Sequence, residues 1–283
     1  KLQNSMRTIG VNEMVTNLTL MVGVDSFLTA ETNAAIRSFN RYGRLAWERA
    51  RWPDTIRLEQ KIPDIQVRNV NITSGGSGYT GTPSAGFSGG GGTGAAATLT
   101  KNSDNEVNGA AITNHGTGYT SAPTVAITGG SGSGATAEAT IIAVLELGNT
   151  IGEILRVTEN DPYETGNCGD LAFRLEFSST SNSDFGQAVL VNRSSTTPVY
   201  VLYRTPFPGY AAGEEFPYVF SEYAVLGAYA DYLLTDGQFE KAGPIQAQAE
   251  AVILQELDKL ERQSMQSSNL QFITYGTTSP TGI

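Results

Sequence analysis

An internal repeat with a period of 40 residues constrains the fold of this chain more than any other feature. The first copy begins at Ile72 (ITSGGSGYTGTPSAGFSGGGGTGAAATLT) and the second at Ile112 (ITNHGTGYTSAPTVAITGGSGSGATAEAT), and 14 of the 29 aligned positions are identical. Gly and Pro recur at matching places and separate short runs of β-forming residues. Because two copies are too few for a solenoid, the repeat predicts two strand-and-turn units that pair into one small β module.

Tyr79 and Tyr119 occupy the same place in the two copies, each after a Gly and four residues before a Pro. The pattern predicts a turn packed under an aromatic ring. The same two tyrosines are our candidates for contact with a glycan or another surface. The repeats also contain GxGxxG twice, beginning at Gly76 and Gly89, but neither match lies between a strand and a helix, and no acidic residue follows about 20 positions later. We therefore assign the glycines to tight turns with positive φ, and His115 to a turn.

The histidine and cysteine content excludes several kinds of site. Cys168 and His115 are single residues of their types, so the chain has no internal disulfide, no cysteine knuckle and no multi-histidine zinc site. A thiolate–imidazole pair would need these two distant residues together, and cysteine catalysis is not predicted. The carboxylate pairs that remain are Glu214 with Glu215, and Glu48 with Glu222. Nothing distinguishes them from surface acids, so we predict no catalytic residues, no cofactor, no metal site and no enzyme.

Charge is distributed unevenly along the chain. The net charge of −10, from 28 acidic and 18 basic residues, argues against tight non-specific binding to nucleic acid. Residues 1–68 carry ten bases and seven acids, or +3, whereas residues 214–262 carry ten acids and three bases, or −7. We expect these segments to pack together, within one subunit or between neighbours. The basic segment contains Arg37, Arg41, Arg44, Arg49 and Arg51. A solvated or subunit-contacting face is favoured for them over a nucleic-acid contact.

The remaining elements follow from periodicity. Apolar residues at helical spacing predict a helix from Thr29 that stops at Pro53. An αα-hairpin is predicted over 217–266, with Gly237 as the C-cap of its first helix. Residues 142–212 contain β-branched and aromatic runs typical of strands. An acidic loop between these strands holds Glu159, Asp161, Glu164, Asn167 and Asp170. It lacks the ordered spacing of a calcium loop, so a polar hairpin loop is preferred to a cation site.

Together these patterns predict an α+β fold in which the N-terminal helices and the C-terminal αα-hairpin form a helical core. The predicted parts are 1–68 (N-terminal helical part), 69–141 (inserted β repeat module), 142–212 (β-strand segment), 213–266 (C-terminal helical hairpin) and 267–283 (extended tail). The tail is polar but keeps Phe272, Ile273 and Tyr275. Such a composition is typical of a segment that becomes ordered on a partner.

Three segments of the sequence resemble the head-to-tail adaptor (connector, or neck) proteins of tailed bacteriophages. They are FNRYGRLAWERARWPDTIRLEQ (39–60), PVYVLYR (198–204) and the Ala-rich hairpin with Asp-Gly-Gln between its helices (224–262). The flanking zones in which they lie cover about two-thirds of the chain. The repeat block is a departure from this family's compact members, and is similar to Gly-Tyr-x-x-x-Pro repeats inserted in other phage structural proteins.

The resemblance implies a virion structural protein at the neck, assembled in the host cytoplasm. Its subunits would form a homo-oligomeric ring, commonly a dodecamer, between the portal protein and a tail or stopper protein, with only transient contact to the passing DNA. The C-terminal segment, with Phe272, Ile273 and Tyr275, would reach into the portal. No run of 18 apolar residues is present, so no membrane partner is expected.

Two other functions remain open. One is a carbohydrate- or receptor-binding tail component that uses the repeats, with Tyr79 and Tyr119 as contacts. The other is a hydrolase with a carboxylate pair, for which Glu214 and Glu215 are the candidates.

Overall fold

The structure, a computed structural model, describes residues 7–148, 151–164, 168–176 and 186–275, with side chains described up to residue 263. The chain divides into two compact units. Residues 1–56 and 207–283 form one, here named the helical unit, and residues 57–206 form the other, here named the β unit.

The elements in chain order are β1 Thr8–Gly10, α1 Val11–Val22, α2 Thr29–Arg49, a 3-10 turn Pro53–Thr55, β2 Ile56–Lys61, β3 Asp64–Ser77, β4 Pro83–Ser88, β5 Thr93–Lys101, β6 Val107–Thr117, β7 Thr124–Gly129, β8 Ser133–Glu146, β9 Glu153–Thr158, β10 Phe173–Glu176, β11 Gln187–Leu190, β12 Val199–Arg204, β13 Glu215–Pro217, α3 Tyr218–Thr235 and α4 Phe239–Tyr275.

The helical unit is built around α3, which is buried on most of its surface and contacts α1, α2 and α4. Aromatic side chains join α2 to α3: the rings of Tyr42 and Tyr223 meet edge to face at 5.3 Å between centroids. Gly227 permits this close approach, because a Cβ there would lie 2.5 Å from the Tyr42 ring. The short strands β1 and β13 pair antiparallel and lead into α1 and α3.

Helix boundaries in this unit follow local signals. α2 begins at Thr29 as predicted, and the Glu31 carboxylate accepts a hydrogen bond of 2.8 Å from the N–H of Leu28 at its N-cap. Helix α3 ends before Gly237, which has φ +78°, a conformation that glycine adopts without strain. Helices α3 and α4 form an αα-hairpin where one was predicted over 217–266, but α4 continues to Tyr275, so residues 267–275 are helical and not part of an extended tail as predicted.

The β unit contains an eight-stranded sheet and a three-stranded sheet. The order in the larger sheet is β10-β11-β8-β7-β4-β5-β6, with β3 paired to the other edge of β8, and the smaller sheet has the order β2-β12-β9. Strands β3 and β8 pair over almost their whole length, from Asp64↔Val144 to Ser77↔Ser133. Apolar residues of both sheets, such as Ile65, Leu145 and Val201, form one buried core.

The two repeats exchange strands across a pseudo-twofold axis. In the β3–β8 pair, Ser77 of the first copy faces Ser133 of the second copy. The equivalent residue of Ser77 in the second copy is Thr117, and that of Ser133 in the first copy is Thr93, each 40 positions away. These two residues face each other in the β5–β6 pair. The opening strand of each copy therefore pairs with the closing strand of the other copy. Strands β4 and β7, which are equivalent in the two copies, pair with each other at the centre. Each copy thus completes the sheet of the other.

The predicted fold class, α+β with a helical core, is wrong. In the described part of the chain 38% of residues lie in strands and 33% in helices, and one of the three sheets has eight strands. The prediction placed residues 1–68 among the helices, whereas residues 56–61 and 64–77 are strands. It also treated the repeats as a small insertion, but β3 and β8 run beyond 69–141 on both sides. A strand extends wherever a distant neighbour supplies hydrogen-bond partners, and local sequence does not reveal that neighbour.

Candidate interaction surfaces

The candidate glycan-contacting residues Tyr79 and Tyr119 are buried side chains of the β unit, with 1% and 2% of their surface exposed. Each ring lies against glycines of the other repeat. A Cβ at Gly132 would lie 2.4 Å from the Tyr79 ring, and a Cβ at Gly92 would lie 2.5 Å from the Tyr119 ring. The Tyr79 hydroxyl also accepts a hydrogen bond of 3.3 Å from the Ala135 N–H. In this fold the two rings pack the interior, and neither presents a face on which a sugar could stack.

The candidate portal-docking residues are Phe272, Ile273 and Tyr275. Their backbone belongs to α4, which ends at Tyr275. Their side chains lie outside the described residues, as does everything after Tyr275.

Three of the carboxylates considered as catalytic candidates are either hydrogen-bonded to nearby backbone or exposed on helix surfaces. The Glu214 carboxylate accepts a hydrogen bond of 2.6 Å from the Ala211 N–H, and its backbone carbonyl accepts one of 2.9 Å from Val11. Glu48 and Glu222 are exposed, on α2 and α3 respectively. Among the described residues no group of three or more His, Cys, Asp and Glu side chains is arranged to hold a metal ion.

Cys168 and His115 contact different parts of the β unit. Cys168 is buried, and its carbonyl accepts hydrogen bonds from the N–H groups of Glu159 and Asn160. His115, which was predicted to lie in a turn, lies in strand β6 opposite Ala95, and its Nδ1 is 2.7 Å from the Val67 carbonyl oxygen. Of the predicted acidic loop, Asn167 lies outside the described residues. Within that loop Asp170 pairs with Arg156, and Glu159 pairs with Arg193.

Three surface grooves run between the helices that surround α3. The groove between α2 and α4 has a volume of about 620 Å³ and Tyr223 in its floor. The groove between α1 and α2 has about 260 Å³ and is mostly apolar. The groove between α1 and α4 has about 320 Å³ and contains Glu222. All three lie beside α3, because α1, α2 and α4 contact α3 more extensively than they contact each other.

Ion pairs hold the α2–α4 groove in shape. Arg41 pairs with Asp231 of α3 at 2.6 Å, and Arg49 pairs with Glu250 of α4 through bonds of 2.7 and 2.8 Å. The hydrogen bond from Arg49 lowers the pKa of Glu250, and burial raises the pKa of Tyr223 to about 12. Both pKa shifts move away from neutral pH, so these two groups are suited to holding the groove together and not to proton transfer near pH 7.

A basic groove lies on the outer face of α2. Arg37, Arg41 and Arg44 project along one side of the helix, and the segment Phe207–Gly209 forms the opposite wall. Sequence reasoning found the arginines but missed the wall. The signal for the wall was the Pro-Phe-Pro-Gly turn at 206–209, which ends with a Gly of φ +72°.

One end of the helical unit carries exposed apolar side chains. Leu20 and Leu28 are each 74% exposed and Phe239 is 69% exposed. Stacking of Phe27 on Tyr232, with centroids 6.3 Å apart, holds the α1–α2 connection against the end of α3. We name this surface the apolar end; its members are Leu20, Met21, Val24, Leu28, Leu234 and Phe239.

Among the described residues, no helix combines the length and the apolar character that crossing a membrane requires. No protein-family model matches the chain, and no curated protein matches it.

Proposed function

We propose that the protein is a virion structural protein of a tailed bacteriophage: a head-to-tail adaptor whose subunits form a ring between the portal and the tail, through which DNA passes. The sequence segments 39–60, 198–204 and 224–262 support the proposal by their resemblance to that family. The proposal concerns assembly and not chemistry, and its partners are a portal protein, a tail or stopper protein and further copies of the chain.

The apolar end is the observation that carries the proposal. Single exposed apolar residues are normal on protein surfaces, but a cluster at the junction of four helix ends is typical of a surface that another protein covers. Leu20, Leu28 and Phe239 each expose more than two-thirds of their surface there. Burial of each in an assembly would contribute about 1.5–3 kcal/mol.

Net charge also favours a conduit for DNA over a DNA-binding protein. Each phosphate contact from Lys or Arg adds affinity, and tight contacts would slow the passage of the genome. A subunit with a net charge of −10 repels the phosphate backbone when it is repeated around a channel.

Immunogold labelling of purified virions with an antibody against this chain tests the proposed location. We expect label at the head–tail junction and none elsewhere. Label on the distal tail or its fibres would instead favour the receptor-binding component, and absence of the chain from virions would refute a structural role. Virions treated with pre-immune serum provide the background.

A second experiment tests the apolar end itself. The triple variant Leu20→Ser, Leu28→Ser and Phe239→Ser should remain folded, because these side chains are exposed in the isolated chain, yet fail to enter virions. The matched control is Leu175→Ser, an exposed leucine (56%) on β10 of the β unit. Normal incorporation of the triple variant would exclude the apolar end as an assembly surface.

A further inference from the structure

The basic groove on α2 is a preformed cavity of about 530 Å³ on the helical unit. Its floor and one wall come from α2, with Arg37, Asn40, Arg41 and Arg44. Its other wall is the segment Phe207–Gly209, in which Phe207 is half-buried and Pro208 is exposed. A ligand in this groove would therefore meet guanidinium groups on one side and an apolar surface on the other.

Several contacts hold the groove in its shape. The Asn40 side chain donates a hydrogen bond of 2.7 Å to the Tyr210 carbonyl oxygen and accepts one of 2.8 Å from the Tyr210 N–H. The Phe207 ring meets the Trp47 ring edge to face at 5.7 Å. Arg41 is held by both carboxylate oxygens of Asp231 at 2.6 Å. Because these contacts fix Asn40, Arg41 and the Phe207 wall before a ligand arrives, the entropic cost of binding is reduced to that of ordering the exposed arginine side chains.

The other two arginines are available to a ligand. Arg37 and Arg44 are exposed, and in the described part of the chain neither forms an ion pair or a hydrogen bond. They are two helical turns apart on the same face of α2, which separates them by roughly 10 Å along the axis. Arg forms bidentate hydrogen bonds with carboxylates, so the pair matches two carboxylates at a similar separation.

An acidic peptide fits this surface better than a nucleic acid does. Duplex DNA presents a charge about every 1.7 Å of its axis and needs many cations, whereas in the described part of the chain this groove offers only two arginines without an ion pair, Arg37 and Arg44. The apolar wall at Phe207 and Pro208 suits an aliphatic or aromatic side chain, and Arg and aromatic residues dominate the binding energy of protein interfaces.

We propose that this groove is a docking site for an acidic segment of another protein. Two carboxylates of that segment pair with Arg37 and Arg44, and an apolar side chain between them packs on Phe207 and Pro208. The site belongs to the isolated chain, so binding here does not depend on whether the protein is an adaptor.

Fluorescence anisotropy with the purified full-length chain tests the proposal. The probe is a labelled helical peptide of about 14 residues with two glutamates two turns apart and a leucine and a phenylalanine between them. Its counterpart carries glutamine in place of both glutamates, and a 12-base-pair DNA duplex (about one helical turn) provides the nucleic-acid probe. We expect the acidic peptide to bind about tenfold or more tightly than the glutamine peptide, because charged hydrogen bonds are the stronger ones.

Variants of the chain assign the binding to the groove. Arg37→Gln with Arg44→Gln should abolish the preference for the acidic peptide while leaving thermal stability unchanged, because neither guanidinium has a partner to lose. Arg174→Gln, at an exposed arginine of β10 in the β unit, is the matched control and should bind normally. No binding of the acidic peptide, equal binding of both peptides, or binding unaffected by the double substitution would each overturn the proposal.

Two further outcomes would reassign the site. Tighter binding of the DNA duplex, lost in the double variant, would make the groove a nucleic-acid site and refute the peptide. Concentration-dependent self-association in sedimentation velocity that the double variant loses would identify a second copy of the chain as the occupant, and would refute a separate partner.

Discussion

Replacing Gly132 by alanine tests whether the tyrosine ring of each repeat packs against glycines of the other repeat. A Cβ at this position would lie 2.4 Å from Cγ and 2.5 Å from Cδ2 of Tyr79, and 2.7 Å from the Ser77 carbonyl oxygen. Carbon atoms pack best at about 3.5–4.0 Å, so the ring would have to move by about 1 Å. Tyr79 is only 1% exposed, which leaves it little room to move.

The magnitude follows from two opposing effects. Overpacking a filled core costs about 1–3 kcal/mol, and the upper end applies here because the added methyl meets backbone as well as the ring. Alanine also restricts the unfolded chain more than glycine does, which stabilises the fold by about 0.4–1 kcal/mol. We therefore expect Gly132→Ala to lower the free energy of unfolding of the β unit by about 2 kcal/mol.

Urea denaturation followed by far-UV circular dichroism measures this loss as a lower midpoint at unchanged slope. Both tryptophans, Trp47 and Trp52, belong to the helical unit, so tryptophan fluorescence follows that unit separately. The matched control is Gly86→Ala on β4, where the nearest atom to a new Cβ is a carbonyl oxygen at an ordinary 3.7 Å.

The pseudo-twofold symmetry provides a second test. Gly92→Ala should cost a similar amount, because its Cβ would lie 2.5 Å from Cγ of Tyr119. Combining Gly132→Ala with Tyr79→Ala should show a favourable coupling, since removing the ring removes the clash. If Gly132→Ala is as stable as Gly86→Ala to within about 0.5 kcal/mol, the proposed ring–glycine packing is wrong.

Three further predictions concern packing and pH. Gly227→Ala should reduce the melting temperature measured by calorimetry by several degrees, because the added methyl would meet the Tyr42 ring. Gly243→Ala on α4 should raise the melting temperature slightly, because a Cβ there would have no atom within 4 Å and alanine favours the helix. Burial raises the pKa of Tyr223 to about 12, so its contribution to stability is present below pH 10 and is lost as the pH rises towards 12. In Tyr223→Phe, the free energy of unfolding measured with urea should fall less steeply with pH over this range. An unchanged dependence of that free energy on pH would contradict the prediction. The hydrogen bonds from Arg68 lower the pKa of Glu176, so stability is present above about pH 4.5 and is lost as the pH falls; Glu176→Gln should weaken this acid dependence relative to the native chain.

Local signals in the sequence were sufficient for the boundaries of α2 and for the end of α3, but not for α4, which continues to Tyr275, past its predicted end at 266. The start of α2 at Thr29, its end before Pro53 and the end of α3 just before the left-handed Gly237 depend on residues within a few positions of each boundary. The runs after residue 142 were likewise assigned to strands, and β9 and β12 lie within them. These assignments held because capping, turns and periodicity act over short stretches of chain.

The candidate surfaces could be predicted only in part. The arginines of α2 were visible as a basic segment, but pairing of Arg41 with Asp231 joins residues 190 positions apart. Within the described residues, Arg37 and Arg44 are the two arginines lining the groove that have no ion pair, and a count of charges along the sequence does not reveal this difference from Arg41. The burial of Tyr79 and Tyr119 was equally hidden, because their equivalent places in the two Gly-rich copies are compatible with a surface loop or with an interior ring.

The sequence by itself determined that this chain contains a twofold repeat, two terminal segments of opposite charge, and a single His and a single Cys, which are too few for a multi-histidine zinc site or an internal disulfide. The tertiary structure alone decided that the repeats exchange strands, that β3 and β8 run across the repeat boundaries, and that the described part of the chain is richer in strand than in helix. The physical reason is the range of the interactions. A helix satisfies its backbone hydrogen bonds within four residues, whereas a strand depends on a partner that can lie anywhere in the chain.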